Sequence, residues 1–165
     1  MAREGPPILK SRRGRGWTFA ERPSPYGNEY IVDASVVVKW YVDEEHCREA
    51  RILRDRLADG GVRMHAPELL LLEVANAFRF NREAVRDLTL ARIERLNTFG
   101  IIFHGVETAV LRDAIDLSFG RGITIYDAVY AALALTLRVP LVTADGVLLR
   151  KLDGTGLAIP LAGIS

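Results

Sequence analysis

The chain has 165 residues, 49% of them hydrophobic and 26% charged, with a formal net charge of +1. This is enough for one domain with a proper core, and it excludes disordered and fibrous classes. Its single cysteine, Cys47, excludes an internal disulfide. No uncharged run reaches the ~18 residues of a membrane span, and the apolar piece from Pro6 to Leu9 is too short for a signal peptide, so a cytoplasmic protein is expected.

Residues 1–28 hold six basic and two acidic side chains, against 16 and 19 in the remainder, together with four of the seven prolines. They read as a basic, proline-containing arm in front of a domain over residues 29–165. Such an arm can reach for phosphate, although a solvated tail explains it as well. Tyr30 to Asp33 predicts a strand, then a helix from Ala34 to Tyr41 with Ser35 available to cap. Asp43 to Ala58 predicts an amphipathic helix with Ala50, Leu53 and Leu57 on one side, stopped by Gly60-Gly61. Val62 to Ala66 predicts a second strand, and Pro67 suits the first turn of a helix running to about Phe80. A helix over Glu83 to Thr98 has Val85, Leu88, Ile93 and Leu96 as its apolar positions.

Ile101 to His104 predicts a third strand, and Glu107 to Phe119 a helix closed by Gly120 and Gly122. Thr124 suits the cap of an almost wholly apolar helix ending before Pro140. Leu141 to Thr143 predicts a fourth strand, Asp145 starts a short helix ending at Lys151, and Leu157 to Leu161 is a candidate fifth strand. The alternation predicts an α/β fold with a mainly parallel central sheet of four to five short strands flanked by helices.

Four carboxylates each stand alone in an uncharged apolar stretch. Asp33 is the only charge in YIVDASVVV, Glu73 in LLLLEVANAF, Asp127 in ITIYDAVYAALALTL and Asp145 in VPLVTADGVLL. Stretches this apolar belong against a core, where an ionised carboxylate costs several kcal/mol unless compensated. A shared hard cation, Mg²⁺ or Mn²⁺, would compensate all four. Parallel sheets bind ligands outside the carboxyl ends of their strands, which is where Asp33 and Asp145 fall. Each acid also has a plainer reading. Asp33 and Asp145 suit helix N-caps, and Glu73 and Asp127 suit first-turn charges.

At these residues the chain resembles the PIN-domain ribonucleases, particularly the VapC-type toxins of toxin–antitoxin pairs. The resemblance runs from about Tyr30 to Ile159. It rests on IVDAS with WYV and EE after it, on LEVANA, on ITIYDAVYAALA and on LVTAD, in that order. It implies a PIN-like domain in which Asp33, Glu73, Asp127 and Asp145 line one Mg²⁺ or Mn²⁺ site, with Asp33 and Asp127 as principal ligands. It implies Ser35, Asn76 and Thr143 as supporting residues, RNA as substrate, a homodimer, and a small antitoxin that blocks the site. Residues 1–28 are not part of the pattern.

Lys39, Arg79, Arg82, Arg121, Arg138, Arg150 and Lys151 lie near the motifs, and Lys39 and Arg79 are the best candidates for RNA phosphate. Trp40 and Tyr41 suit core or interface packing better than base stacking. His46, His65 and His104 are widely spaced, so no zinc site is expected. Ser35 lacks a glycine-flanked elbow and no glycine-rich phosphate loop with lysine occurs, which argues against serine hydrolases and NTPases. The competing functions are a non-catalytic RNA-binding or protein-interaction domain and a phospho-aspartyl enzyme with Asp33 as nucleophile.

Overall fold

A computed structural model describes residues 28–81 and 85–164. The arm expected over residues 1–28 therefore lies outside the described residues except for Asn28, as do Arg82 and the expected helix start at Glu83. In chain order the elements are β1 (Glu29–Val32), α1 (Ala34–Val38), α2 (Cys47–Ala58), β2 (Arg63–Pro67), α3 (Leu69–Arg79), α4 (Arg86–Leu96), β3 (Ile102–His104), α5 (Thr108–Arg121), α6 (Ile125–Leu137), β4 (Leu141–Thr143), α7 (Gly146–Lys151) and β5 (Ala158–Pro160), with a last 3₁₀ turn over Leu161–Gly163.

The five strands form one sheet in the order β3-β2-β1-β4-β5, every pairing parallel. The chain works outward from β1 to β2 and β3, then returns to lay β4 against the other side of β1. The order therefore reverses between β1 and β4, and an open α/β sheet has its ligand crevice at that point. The strands are short and apolar because helices cover both faces, and Ile31, Val32, Met64, Leu141 and Val142 are fully buried. Helix α6 runs through the core, buried without interruption from Ala128 to Ala134, packing on α5 and reaching β1 and β2.

Several expectations shift. Helix α1 stops at Val38, and Trp40 turns into the core against Phe99, ring centres 5.4 Å apart. Helix α2 starts at Cys47 rather than Asp43, because His46 adopts a left-handed φ of 63° that a helix cannot contain. Ion pairs Lys39–Glu44 and Arg51–Asp43 tie down the intervening loop. Pro67 ends β2 instead of opening α3: its ring holds the preceding residue extended, and Glu68 N–H takes up the His104 carbonyl. In α4 only Leu96 is fully buried, whereas Val85 and Leu88 are exposed, so the expected apolar face is narrower. Gly120 continues inside α5, and Gly122, at φ 63°, is the residue that closes it.

Candidate active site

The loop that follows β1 carries Asp33 into the crevice beside β4. Asp33 occupies the N-cap position of α1 with extended backbone, yet its side chain caps nothing. Its Oδ2 instead accepts from Ser35 Oγ at 2.5 Å and from Thr143 Oγ1, at the end of β4, at 2.6 Å. Both hydroxyls are themselves held. Ser35 Oγ accepts from the Ala144 N–H and Thr143 Oγ1 from the Asp145 N–H, each at 3.0 Å. The expected cap at Ser35 is thus replaced by a link between β1 and β4. Asp33 is only 8% exposed.

Glu73 lies in the second turn of α3, not the first, so a dipole role does not explain it. The deeply buried Tyr130 on α6 donates its hydroxyl proton to Glu73 Oε2. The sequence reading missed Tyr130. Its signal was present, a phenol set between Val129 and the alanines of α6 about one turn beyond Asp127.

Asp127 and Asp145 fulfil their plainer roles. Asp127 N–H donates to Thr124 Oγ1 at 3.0 Å, and Thr124 Oγ1 donates back to Asp127 Oδ2 at 2.7 Å, closing the first turn of α6. Asp145 Oδ1 accepts from the N–H groups of Val147 and Leu148, at 2.6 and 3.1 Å, and caps α7.

Electrostatics nonetheless tie three of the acids together. Burial raises the pKa of Asp33, the Ser35 and Thr143 hydrogen bonds oppose that rise, and the charge of Asp127 adds to it. Burial also raises Glu73; the Tyr130 hydrogen bond opposes the rise and the charges of Asp33 and Asp127 reinforce it. Among the described residues, no lysine, arginine or histidine is among the groups acting on either acid. Asp145 joins the group only through Thr143.

The donor set is all oxygen, and Asp33, Glu73 and Asp127 repel one another with no cationic side chain of the described residues among the groups acting on Asp33 or Glu73, which suits a hard divalent cation. Among the described residues, no three Asp, Glu, His or Cys side chains are drawn together closely enough to hold an ion as they stand. Asp127 is turned onto Thr124, and Asp33, Glu73, Asp127 and Asp145 would be the residues to hold the metal.

The other expected residues are scattered. Asn76 is exposed one turn beyond Glu73. Lys39 is only 12% exposed and pairs with Glu44 at 2.9 Å, so its charge is already answered. Arg79 lies over the Phe80 ring at 5.7 Å. The histidines, widely spaced along the chain, include one pair that meets: β2–β3 pairing brings His65 Nδ1 within 3.0 Å of His104 Nε2. Strand neighbours 39 residues apart meet by topology alone, so no sequence spacing could reveal the pair.

The PIN domain family model matches residues 30–154. Ribonuclease VapC3 of Pyrobaculum aerophilum is 32% identical over 126 residues, covering 73% of this chain and 92% of the relative. Among solved structures, PAE2754 from Pyrobaculum aerophilum matches with a TM-score of 0.58 at 26% identity, over 82% of this chain and 90% of that one. A toxin–antitoxin complex from Klebsiella pneumoniae matches at 0.59 and 12% identity, over 80% and 97%. VapBC2 from Rickettsia felis, bound to a DNA fragment from its promoter, also matches at 0.59 and 12%, over 80% and 98%. The chain belongs to the PIN-domain family and is of the VapC type.

Proposed function

We propose that this protein is a metal-dependent endoribonuclease, the toxin of a toxin–antitoxin pair. The observation that carries the reading is the placing of buried Asp33 at the switch point of the sheet, held by Ser35 and Thr143, with the charge of Asp127 acting on it, the charges of both acting on Glu73, and no basic side chain of the described residues among those acting on Asp33 or Glu73. Acids that disfavour their own ionised forms gain most from a dication. Bound Mg²⁺ or Mn²⁺ would supply an activated water and charge neutralisation at a phosphodiester.

The chain's own residues divide the remaining work. Asp33 and Asp127 would be the principal ligands, and Glu73 and Asp145 would complete the set or hold bound water. Ser35 and Thr143 fix Asp33 by clamping Oδ2, and Tyr130 orients Glu73. Asn76 is available to hydrogen-bond water or substrate, and Arg79 to meet a phosphate. For Lys39 to do so, the phosphate must displace Glu44. Cleavage leaves 5′-phosphate and 3′-hydroxyl ends.

The name of the 32% identical relative supports ribonuclease activity, and the toxin–antitoxin complexes among the structural neighbours support a small antitoxin partner. No helix among the described residues is long and apolar enough to cross a membrane. The reading extends to a cytoplasmic homodimer.

The test is cleavage of single-stranded RNA with Mg²⁺ or Mn²⁺, with EDTA, and by Asp33→Asn. Cleavage is expected with metal only and is lost in the variant. Cleavage that persists in EDTA, or a parent protein inert with both metals, overturns the reading.

A further inference from the structure

Two arginines on α4 are held in an unusual way. The Arg92 guanidinium lies over two aromatic faces, 4.9 Å from the Phe78 ring centre and 5.3 Å from that of Tyr41. Three residues on, Arg95 lies 5.6 Å over Phe99. Among the described residues neither guanidinium makes a hydrogen bond or an ion pair. Their neighbours do: Arg51 meets Asp43, Arg54 meets Asp55 and Arg86 meets Asp87. A ring face holds a guanidinium without consuming its N–H groups, because these lie in the plane of the cation. Arg92 and Arg95 therefore keep their charge and their donors while their orientation is set.

A second observation points to the same place. The Tyr41 hydroxyl is buried and has no hydrogen-bond partner. The charges acting on it come from Arg95, Arg54 and Arg92, and no carboxylate is among them. The Tyr41 hydroxyl and the Arg92 guanidinium stacked on its ring thus lie together, with Arg95 on the same helix, and neither guanidinium has a carboxylate partner among the described residues. Planar guanidinium forks match the oxygens of phosphate.

The remaining question is which phosphate. Residues 29–165 carry 16 basic and 19 acidic side chains, so the domain as a whole repels a polyanion. A cleavage site lined with carboxylates repels it further. A nuclease of this composition needs a separate cationic contact to hold the strand. We infer that Tyr41, Arg92 and Arg95 form a phosphate site that grips the RNA backbone away from the scissile bond. This rests on the ribonuclease reading.

The experiment measures binding of a fluorescent single-stranded RNA in EDTA, as a function of salt, for the parent, Arg92→Gln/Arg95→Gln, Arg92→Lys/Arg95→Lys and Arg86→Gln. The double Gln variant is expected to lose about tenfold in affinity, and its salt slope to shrink by about 1.4, near 0.7 per lost contact on a single strand. The double Lys variant keeps the slope but recovers only part of the affinity, because lysine lacks the planar fork. Arg86→Gln binds like the parent. Metal-supported hydrolysis of bis-p-nitrophenyl phosphate, which has no strand to grip, is unchanged in the double Gln variant, and this confirms that it folds.

Parental affinity and salt slope in the double Gln variant overturn the site while leaving the ribonuclease reading intact. A parent that neither binds nor cleaves RNA overturns that reading first. Protection against melting by inorganic phosphate that needs both arginines, with RNA binding unaltered by their loss, assigns the site to a free anion and also overturns the proposal.

Discussion

The Tyr130 hydroxyl on α6 donates a hydrogen bond to Oε2 of Glu73 on α3, joining two helices that approach the sheet from different parts of the chain. Burial first, then the charge of Glu73, pushes the phenol far above its ordinary value, so it remains a donor throughout the useful pH range. The same bond pulls Glu73 down against the burial that raises it. Tyr130→Phe should keep the fold and lower metal-supported RNA cleavage by about tenfold. Its sharper signature is in the pH–rate profile. With the donor gone Glu73 ionises at higher pH, so the acidic limb must move upward. An unmoved limb would show that Glu73 does not need to be charged for catalysis.

Asp33→Asn should abolish cleavage, yet it should not weaken the protein in the absence of metal. The folded state holds Asp33 above its ordinary value of 3.8, so ionising it opposes folding. The amide keeps an acceptor for Ser35 and Thr143 and removes the charge. Melting in EDTA at neutral pH should rise by about 3 °C. A fall of similar size would mean that the carboxylate is stabilised by a cation other than a bound metal.

Metal and pH should act together on stability. Asp33 and Glu73 are both raised in the folded state. Below the unfolded values of 3.8 and 4.5 the two states are equally protonated and these groups contribute nothing. As pH rises from there to the raised folded values, the unfolded chain ionises first and stability falls. A bound dication reverses the balance by favouring the ionised forms. The melting increment from millimolar Mg²⁺ should therefore be small near pH 4 and grow toward about pH 8. An increment independent of pH across that span would place metal binding somewhere other than these acids.

Thr143 holds the crevice closed from the β4 side. It is fully buried, donates to Asp33 Oδ2 and accepts from the Asp145 N–H. Thr143→Val keeps the volume and removes both bonds. It should cost about 1–3 kcal/mol, because an N–H and a carboxylate lose a partner in a buried place. Metal-supported cleavage should fall by about 10- to 100-fold. Urea unfolding and initial rates on the same preparation check both figures, and a change in rate without a change in stability would contradict the shared role.

Much of the architecture was legible because local patterns carry it. Strand β4 and helix α7 fall where the apolar run Leu141 to Thr143 and the capping Asp145 put them, and Thr124 caps α6 as its position suggests. Where the reading slipped, one residue's conformation or covering overrode the pattern. His46 breaks the helix expected from Asp43, and Val85 and Leu88 stay exposed at the start of α4, with no described residue covering them.

The sequence by itself determined the alternation of short apolar strands with helices, and it marked each of the four acids by setting it alone in an uncharged stretch. It also showed that each of those acids had a plainer role open to it. Only the tertiary structure decided between the roles: Asp33 and Glu73 cap nothing, while Asp145 caps α7 and Asp127, in the first turn of α6, holds its capping Thr124. Only the sheet order set Asp33 beside Thr143, 110 residues away, and His65 beside His104. The physical reason is one of range. Periodicity, caps and turn chemistry act over a few residues, and so can be read along the chain. Which strands become neighbours is settled by burying all the apolar faces at once.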